Sequence, residues 1–182
     1  IELSLMGEIS PHSPVLLVLA AFSRHESALS WVPSHAEKQW GQIVLKSDLF
    51  EFCETTYYAK SMGTDLRKQF FAFANAIDPS SLPAVKQLTN QWEDNYRNTA
   101  QHGEQRPLNL DPGYLTLGKL VLASTKDHAH RIYLSDGIYA ETTLYYQGRQ
   151  WCPRPWTFPD YRRPDYQRFF DQCRRYLKNN FR

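Results

Sequence analysis

Apolar residues recur along the chain in runs and stripes that predict interspersed strands and helices. The continuous apolar run Val15–Ala21, bounded by Pro14 and Ser23, is typical of a central strand buried on both faces. Further on, apolar residues spaced three and four apart predict two helices, over residues 65–77 and 82–96. The stripe of the first predicted helix consists of Leu66, Phe70, Phe73 and Ile77.

Capping and breaking residues predict where several elements begin and end. Ser23 and Glu26 have the spacing of a capping box, which predicts a helix that breaks near Pro33 and ends at Gly41. Asp111 followed by Pro112 predicts another helix start, although the apolar residues of 115–124 fit a helix or a strand. The remaining elements are one or two strands over residues 43–52, a short strand over 108–110 and an amphipathic helix over 165–180.

The clearest local signal is a β-hairpin in the second half of the chain. Two runs that favour strands, His130–Leu134 and Ile138–Tyr146, flank Ser135-Asp-Gly137. A three-residue loop separates apolar from polar faces, whereas a two-residue loop mixes them. This register pairs Tyr133 with Tyr139 and Arg131 with Glu141. It predicts either a surface ion pair, worth about 0.2–1 kcal/mol, within an aromatic ladder, or the polar, aromatic-walled floor of a ligand site.

Together the elements predict an α+β fold with a mixed or antiparallel sheet and helices packed mainly on one face. A doubly wound parallel fold is the alternative. A length of 182 residues suits one domain with a sizeable core. We expect an N-terminal extension over residues 1–13 and a single domain over residues 14–182.

Composition and charge exclude some classes of protein and leave the function open. An apolar content of 42% excludes a disordered chain. The apolar run after Pro14 is short for a membrane span and lacks a basic region before it, so we expect neither a membrane protein nor a signal peptide. Three widely spaced cysteines indicate no disulfide framework and no zinc site, which favours the cytoplasm. The charge is uneven, with a net +5 over residues 151–182.

The densest set of chemically capable residues lies between Ser124 and Arg131. Its hydroxyl groups, with Lys126 and Arg131, suit a phosphate or a carboxylate. His128 and His130 would share one face of a strand and could bind a metal together with Asp111 or Glu141, although two histidines at this spacing are weak evidence. Either His130 or Asp127 would serve as a general base if a cleft shifted its pKa.

Two other stretches permit a functional interpretation and an ordinary one. Residues 113–120, GYLTLGKL, come close to a phosphate-binding loop, but Leu120 replaces the hydroxyl residue, which favours a helix with this spacing by chance. The segment Trp156–Arg162, with Asp160 among its aromatic residues, fits a pocket cover or a packed crossover. Arginines interleaved with aromatics would suit single-stranded nucleic acid, but no RNA-binding signature is present.

Several of these stretches taken together resemble a bacterial family classed only as a domain of unknown function. The resemblance covers roughly residues 14–176 and implies a cytoplasmic, single-domain protein with no established activity. Some members of the family carry a GTP-binding label. The motifs that carry the resemblance are Thr56-Tyr-Tyr58, Met62-Gly63, Asn109-Leu-Asp-Pro-Gly-Tyr-Leu115, Ser124-Thr-Lys-Asp127, His130-Arg-Ile-Tyr-Leu134, Gly137-Ile-Tyr-Ala-Glu141 and Trp156-Thr-Phe-Pro-Asp-Tyr-Arg162.

The sequence supports two hypotheses of different kinds. In the first, a site binds a phosphate-bearing small molecule or a nucleotide. Lys126 and Arg131 hold the anion, Asp111, Asp127 and Glu141 orient polar groups or a metal, and Asp160 is a further ligand contact. The catalytic candidates are His130 as acid or base, with Asp127 and Glu141, and the walls are Tyr114 and Tyr139. In the second, a non-catalytic module binds RNA or an acidic protein through the basic C-terminal helix. Whether the protein is an enzyme stays open, and no cofactor, metal ligand set or oligomeric state is predicted.

Overall fold

A computed structural model of the chain describes residues 11–181. Most of the expected N-terminal extension, residues 1–13, therefore lies outside the described residues. The strands are β1 (Val15–Ser23), β2 (Ile43–Lys46), β3 (Phe50–Glu51), β4 (Arg67–Ile77), β5 (Asn109–Leu115), β6 (Lys119–Ser124), β7 (Ile132–Ser135), β8 (Ile138–Gln147) and β9 (Gln150–Pro153). The helices are α1 (Glu26–Trp40), α2 (Ala59–Met62), α3 (Leu82–Ala100) and α4 (Pro164–Asn180), with short 3₁₀ helices at Pro79–Ser81 and Pro159–Arg162.

All nine strands of the described residues join one antiparallel sheet. Its order is β2-β4-β1-β5-β6-β8-β7, with β3 beside β4 and β9 beside β8. Every residue of β1 is buried, as expected of a central strand covered on both faces. Leu17 and Leu19 pack against α1 and α3, whereas Leu16 and Val18 pack against α4. The α+β class is thus confirmed, and we name the two sides the α1/α3 face and the α4 face.

The predicted register of the β7–β8 hairpin is confirmed, but its turn is different. Tyr133 pairs with Tyr139 and Ile132 with Ala140. Closer to the turn, Ser135 pairs with Ile138, so Leu134 is an extra residue in a bulge and the loop contains only two residues. Those residues, Asp136 and Gly137, both have positive φ, as a tight hairpin turn requires. The bulge therefore restores the register that a three-residue loop would have given.

The predicted helix over residues 65–77 is wrong, because this segment forms the long strand β4. Its inner residues, Lys68 to Phe73, are all buried between β1 and β2 and between the helices of both faces. Side chains buried on both sides of a sheet show no alternation of apolar and polar residues. Apolar residues at 66, 70, 73 and 77 then match a helical stripe by chance.

The predicted helix start at Asp111-Pro112 is also wrong, since both residues lie within β5. Proline is rare in inner strands because it has no N–H to donate. Leu110 directs its N–H and C=O away from β1 and towards side chains of α3. Pro112, two residues later in the strand, has the same orientation, so its nitrogen also faces away from β1. β6 pairs with β5 only from Gly113 onward, so no ladder partner is lost.

The boundaries of α1 differ from the prediction at its beginning and its middle. Ser23 ends β1 instead of capping the helix; its hydroxyl donates to the Pro107 carbonyl and accepts the His25 N–H. Pro33 lies inside a continuous helix, and Gly41 follows its last residue as predicted. No helix in the described part of the chain is both long and apolar enough to span a bilayer.

The feature that positions the candidate site is a fork between β5 and β6. The two strands pair through only three residues each and then separate before Pro112. Side chains from α3 fill the gap: Lys86 Nζ donates to the Leu110 carbonyl at 2.7 Å, and Glu93 Oε1 accepts the Leu110 N–H at 2.7 Å. The open end of the fork carries the loop after β6 on one side and the loop before β5 on the other.

Candidate functional site

The loop that follows β6, Thr125–Arg131, is held by a buried ion pair. Arg131 Nε lies 2.7 Å from Glu141 Oε2, and the two side chains are only 5% and 1% exposed. The same guanidinium donates to the Ser124 hydroxyl at 2.6 Å and to the Lys126 carbonyl at 3.0 Å. Thr143 donates to the second oxygen of Glu141. Arg131 thus connects the buried carboxylate to the backbone of the loop that carries Lys126.

His130 is fixed at the edge of this network by stacking and by a hydrogen bond. Its ring lies between those of His128 and Trp156, with centroid distances of 5.8 Å and 5.2 Å. Its Nε2 is 3.1 Å from Glu141 Oε2. Trp156 is itself held by a hydrogen bond from its indole N–H to the Thr142 carbonyl. An imidazole positioned by a carboxylate in this way is a suitable acid or base group.

Lys126 reaches across the open end of the fork and contacts a tyrosine from the loop between β3 and α2. Its Nζ donates to the Tyr57 hydroxyl at 2.7 Å and lies 4.5 Å from the centre of the ring. Within residues 11–181, Lys126 has no carboxylate at ion-pair distance. The hydrogen bond from Lys126 lowers the pKa of Tyr57, and the charges of Lys126 and of Arg106 lower it further. Lys126 is therefore the cation in direct contact with this exposed phenol oxygen.

The inner wall of the fork is formed by polar residues of β5 and of the neighbouring loops. Asp111 Oδ1 lies 3.5 Å from Lys86 Nζ, and its side chain is 29% exposed. Arg106 bonds to Asn109 Oδ1 and lies 3.2 Å from Glu93. Burial raises the pKa of the Tyr58 hydroxyl, and the charge of Asp111 adds to this effect. Asp111 is thus a partly exposed carboxylate that is paired with Lys86 and whose charge acts on Tyr58.

A second buried ion pair lies deeper on the α4 face. Lys68 Nζ is 2.5 Å from Asp160 Oδ2, and the ammonium is enclosed by aromatic rings, of which Phe52 is nearest at 4.0 Å. The hydroxyl of Tyr161, next in sequence to Asp160, is buried and has no hydrogen-bond partner among the described residues. Burial raises the pKa of Tyr161, and the charges of Asp160 and Asp111 raise it further. The α4 face therefore buries two ion pairs and the Tyr161 hydroxyl within an otherwise apolar core.

The structure brings most of the predicted site residues together. Lys126, Asp127, His130, Arg131, Tyr139 and Glu141 gather at one end of the α4 face, whereas Asp111 pairs with Lys86 and Asp160 pairs with Lys68. Tyr139 packs edge-on against Tyr133, and its pKa is raised by burial and then by the charge of Asp127. Tyr114 does not join them, because it packs with Leu82 and Val121 on the opposite face of the sheet.

Other residues of the site were not predicted. Tyr57, Tyr58 and Arg106 come from loops whose positions no periodic pattern indicates, although the first two lie in a stretch that resembles the family. Lys68 was assigned to a helix, where a lysine is expected to face solvent. The signal that would have identified it is the loss of helical period at Phe70-Phe71, where adjacent aromatic residues are both fully buried.

The weaker motifs do not form the sites they resemble. Residues 113–120 belong to the hairpin between β5 and β6, so the stretch is neither a phosphate-binding loop before a helix nor the helix expected as its alternative. Among residues 11–181, no group of three or more His, Cys, Asp or Glu side chains is arranged to hold a metal ion. Two clefts of about 440 and 650 Å³ lie beside α4 and within the loop between β3 and β4, and neither is lined by a residue of the first hypothesis. The cleft beside α4 is lined by arginines of the basic C-terminal helix, on which the second hypothesis depends.

Comparison with known proteins places this architecture in a family. A family model described as a domain of unknown function, DUF4416, matches residues 13–176. The chain belongs to this family. The match runs from just before β1 into α4, so it includes the whole sheet, the fork and both buried ion pairs of this DUF4416 member. No curated protein and no solved structure matches the chain. The family description names no ligand, so the GTP-binding label stays a hypothesis.

Proposed function

We propose that this chain binds a phosphate-bearing small molecule at the open end of the fork. The observation that carries the proposal is the contact between Lys126 and Tyr57. A surface lysine normally points into water or pairs with a carboxylate, but this ammonium bonds to a neutral phenol. The Tyr57 hydroxyl occupies the position in which an anionic oxygen would gain most.

The groups around this position suit a phosphate in particular. Phosphate offers several acceptor oxygens and a charge close to −2, so it favours sites that combine a cation with further donors. Lys126 supplies three N–H donors on a flexible stem. The Ser124 hydroxyl accepts from Arg131 and from the Lys126 N–H, which leaves its own hydrogen free to donate to a ligand. Displacement of Tyr57 by a phosphate oxygen would bring these donors onto the anion.

Arg131 has a different role from the one that the sequence suggested. Its guanidinium is already occupied by Glu141, Ser124 and the Lys126 carbonyl. It therefore acts as a positioning residue, which fixes the loop so that Lys126 reaches the fork. Asp111 is the group that would accept hydroxyl hydrogens of a sugar or nucleotide, because its carboxylate is accessible beside the mouth. His130, held by Glu141, and Asp127 stay candidates for an acid or base.

The proposal places the protein in the cytoplasm, with residues 14–182 as a single binding domain. The absence of disulfides among the described cysteines supports this compartment: Cys53, Cys152 and Cys173 are all free. Nucleotides and sugar phosphates are abundant ligands of that compartment and carry both the phosphate and the hydroxyl groups that the fork would recognise.

A thermal-shift screen with nucleotides, sugar phosphates and inorganic phosphate tests the proposal. A ligand at about 100 times its dissociation constant should stabilise the folded protein by roughly 2.7 kcal/mol. Lys126→Gln should weaken binding of the best ligand at least about tenfold, since it removes a charged donor. Lys119→Gln is the matched control, because Lys119 is an exposed lysine at the other end of β6.

Tyr57→Phe separates this proposal from a merely structural role of the contact. If the phenol only holds the place of a ligand oxygen, its removal leaves binding unchanged or tighter. If Lys126→Gln and Lys119→Gln bind the best ligand equally well, or if the whole panel produces no shift, the proposal is wrong.

A further inference from the structure

A second positively charged feature lies at the opposite end of the α4 face. A cleft of about 440 Å³ runs between the middle of α4 and the end of β8. Its lining residues are Tyr146, Arg168, Asp171, Gln172, Arg174 and Arg175. β6 separates this cleft from the fork, since its first residue follows the turn beside the cleft and its last precedes the Lys126 loop. Six strand residues at about 3.3 Å each place the two features on the order of 20 Å apart.

The charge of the cleft is strongly positive and largely uncompensated. Three guanidinium groups face it against the single carboxylate of Asp171. Among the ion pairs of residues 11–181, none involves Arg168, Arg174, Arg175 or Asp171. Arg163, which precedes the same helix, instead pairs with both Glu54 and Asp165. Positive charge is therefore neutralised just before α4, at Arg163, whereas the three arginines along the middle of the helix have no ion-pair partner within residues 11–181.

Arg174 is held in place before any ligand arrives. Its Nε donates to the Leu117 carbonyl at 2.8 Å, and its guanidinium carbon lies 3.8 Å from the centre of the Tyr146 ring. Tyr146 is in turn packed edge-on against the buried Trp151, with ring centroids 5.1 Å apart. A stacked, hydrogen-bonded guanidinium loses less side-chain entropy on binding than a free one. Its two terminal nitrogens have no partner among the described residues.

We propose that this cleft binds a ligand with two or more neighbouring phosphate groups. Arg168 and Arg175 are seven residues apart on the helix, which separates their Cα atoms by about 10.5 Å along its axis. Arg174 lies between the helix and the turn at Leu117. Guanidinium groups spread over this distance match consecutive phosphates better than a single anion, and the planar guanidinium of arginine suits phosphate oxygens. Such phosphates occur in a free polyphosphate and in the backbone of single-stranded RNA.

The experiment measures binding of inorganic triphosphate by calorimetry and of a fluorescent 12-nucleotide RNA by anisotropy. The double variant Arg168→Gln/Arg175→Gln changes two exposed residues and should weaken triphosphate binding by roughly tenfold or more per arginine. Lys38→Gln/Arg97→Gln is the matched control, since it removes the same charge from exposed positions on α1 and α3. Orthophosphate should bind at least about tenfold more weakly than triphosphate, because it spans fewer of the arginines.

The arms of the experiment distinguish the two sources of phosphate. If RNA binds at this cleft, triphosphate competes with it, and the slope of log affinity against log salt falls by about 0.7 for each arginine removed. If only triphosphate binds, the ligand is a small polyphosphate. Arg174→Lys keeps the charge but loses the guanidinium that stacks on Tyr146, so this variant should bind triphosphate more weakly than the wild type. Equal binding by the double variant and its control, or no binding of either probe, overturns the proposal.

The two proposals can fail separately. Lys126→Gln should leave triphosphate binding at this cleft unchanged, because Lys126 lies at the far end of β6. Conversely, the double arginine variant should keep the thermal shift produced by a ligand of the fork.

Discussion

Substitution of Arg131 by methionine should destabilise the protein far more than loss of an ordinary surface ion pair. Glu141, only 1% exposed, would keep its charge in the core with no arginine beside it. Removing one partner of a buried pair costs about 3–5 kcal/mol, whereas exposed pairs contribute about 0–1 kcal/mol. The imidazole of His130, 3.1 Å from the same carboxylate, offsets part of the loss. We therefore expect about 3 kcal/mol for Arg131→Met.

Urea and thermal unfolding measure this cost, and a double-mutant cycle assigns it to the pair. At about 2–4 °C per kcal/mol for a chain of this size, Arg131→Met should lower Tm by roughly 6–12 °C. Glu141→Gln removes the buried charge, so Arg131→Met/Glu141→Gln should be clearly more stable than the two single effects predict when added. Arg97→Met serves as the control, since its pair with Asp94 is 49% and 64% exposed and should matter little.

Two results would refute the reasoning. If the single effects add within about 0.5 kcal/mol, the two side chains are not energetically coupled. If Arg131→Met costs no more than Arg97→Met, the carboxylate is solvated and the pair is an ordinary surface contact.

Three further predictions concern other parts of the fold. Lys68→Met should lower the free energy of unfolding in urea by about 3–5 kcal/mol, because it leaves Asp160 as a buried charge without a partner. The double variant Lys68→Met/Asp160→Asn should recover part of this lost stability. If the effects of the two single variants simply add, the prediction is wrong. Gly113→Ala should destabilise the protein by about 1–3 kcal/mol, since its new Cβ would lie 2.3 Å from the Val121 carbonyl oxygen. Gly118→Ala is the control in the same hairpin, because its Cβ would meet open space and should leave stability unchanged. Equal effects of the two substitutions on stability would exclude the steric explanation. Burial, followed by the charge of His25, lowers the pKa of His102, so the folded protein binds this proton less readily than the unfolded chain. The stability that this neutral histidine contributes is present above pH 6.5 and is lost as the pH falls through the lower pKa of the folded state. Across this pH range, the urea midpoint should depend less on pH in His102→Gln than in the wild type. An identical pH dependence of the two proteins would refute the assignment to His102.

The parts of the fold that the sequence predicted are those in which one local pattern dominates. β1 is a long apolar run between polar boundaries, and α3 and α4 have clear apolar stripes. β4 was assigned wrongly because its buried residues carry no alternation, and spacing alone then favoured a helix. β5 was predicted only as a short strand over residues 108–110, because Asp111-Pro112 is a strong local helix signal. Proline is tolerated at this position because β6 separates from β5 before Pro112. That separation depends on contacts with distant residues, so the sequence around Pro112 does not indicate it.

The same division applies to the candidate site. Arg131 and Glu141 were predicted as neighbours because the hairpin that joins them is local, and their register follows from alternation. Their burial was not predictable, since it depends on Trp156 and on packing against the far end of the chain. Lys68 and Asp160 lie 92 positions apart, and Lys126 and Tyr57 lie 69 apart. Such pairs are set by the topology of the sheet and have no signature in either segment.

The brief pairing of β5 and β6 has a mechanical consequence for the sheet. β1 and β5 are joined by seven residue pairs, whereas β5 and β6 are joined by three. The sheet therefore has a seam, with β1 to β5 on one side and β6 to β9 on the other. Helix α4 packs against strands on both sides of the seam and so holds the two parts of the sheet together. Amide hydrogens of β6 and β7 should then exchange with solvent through partial openings, while those of β1 should exchange only when the whole domain unfolds.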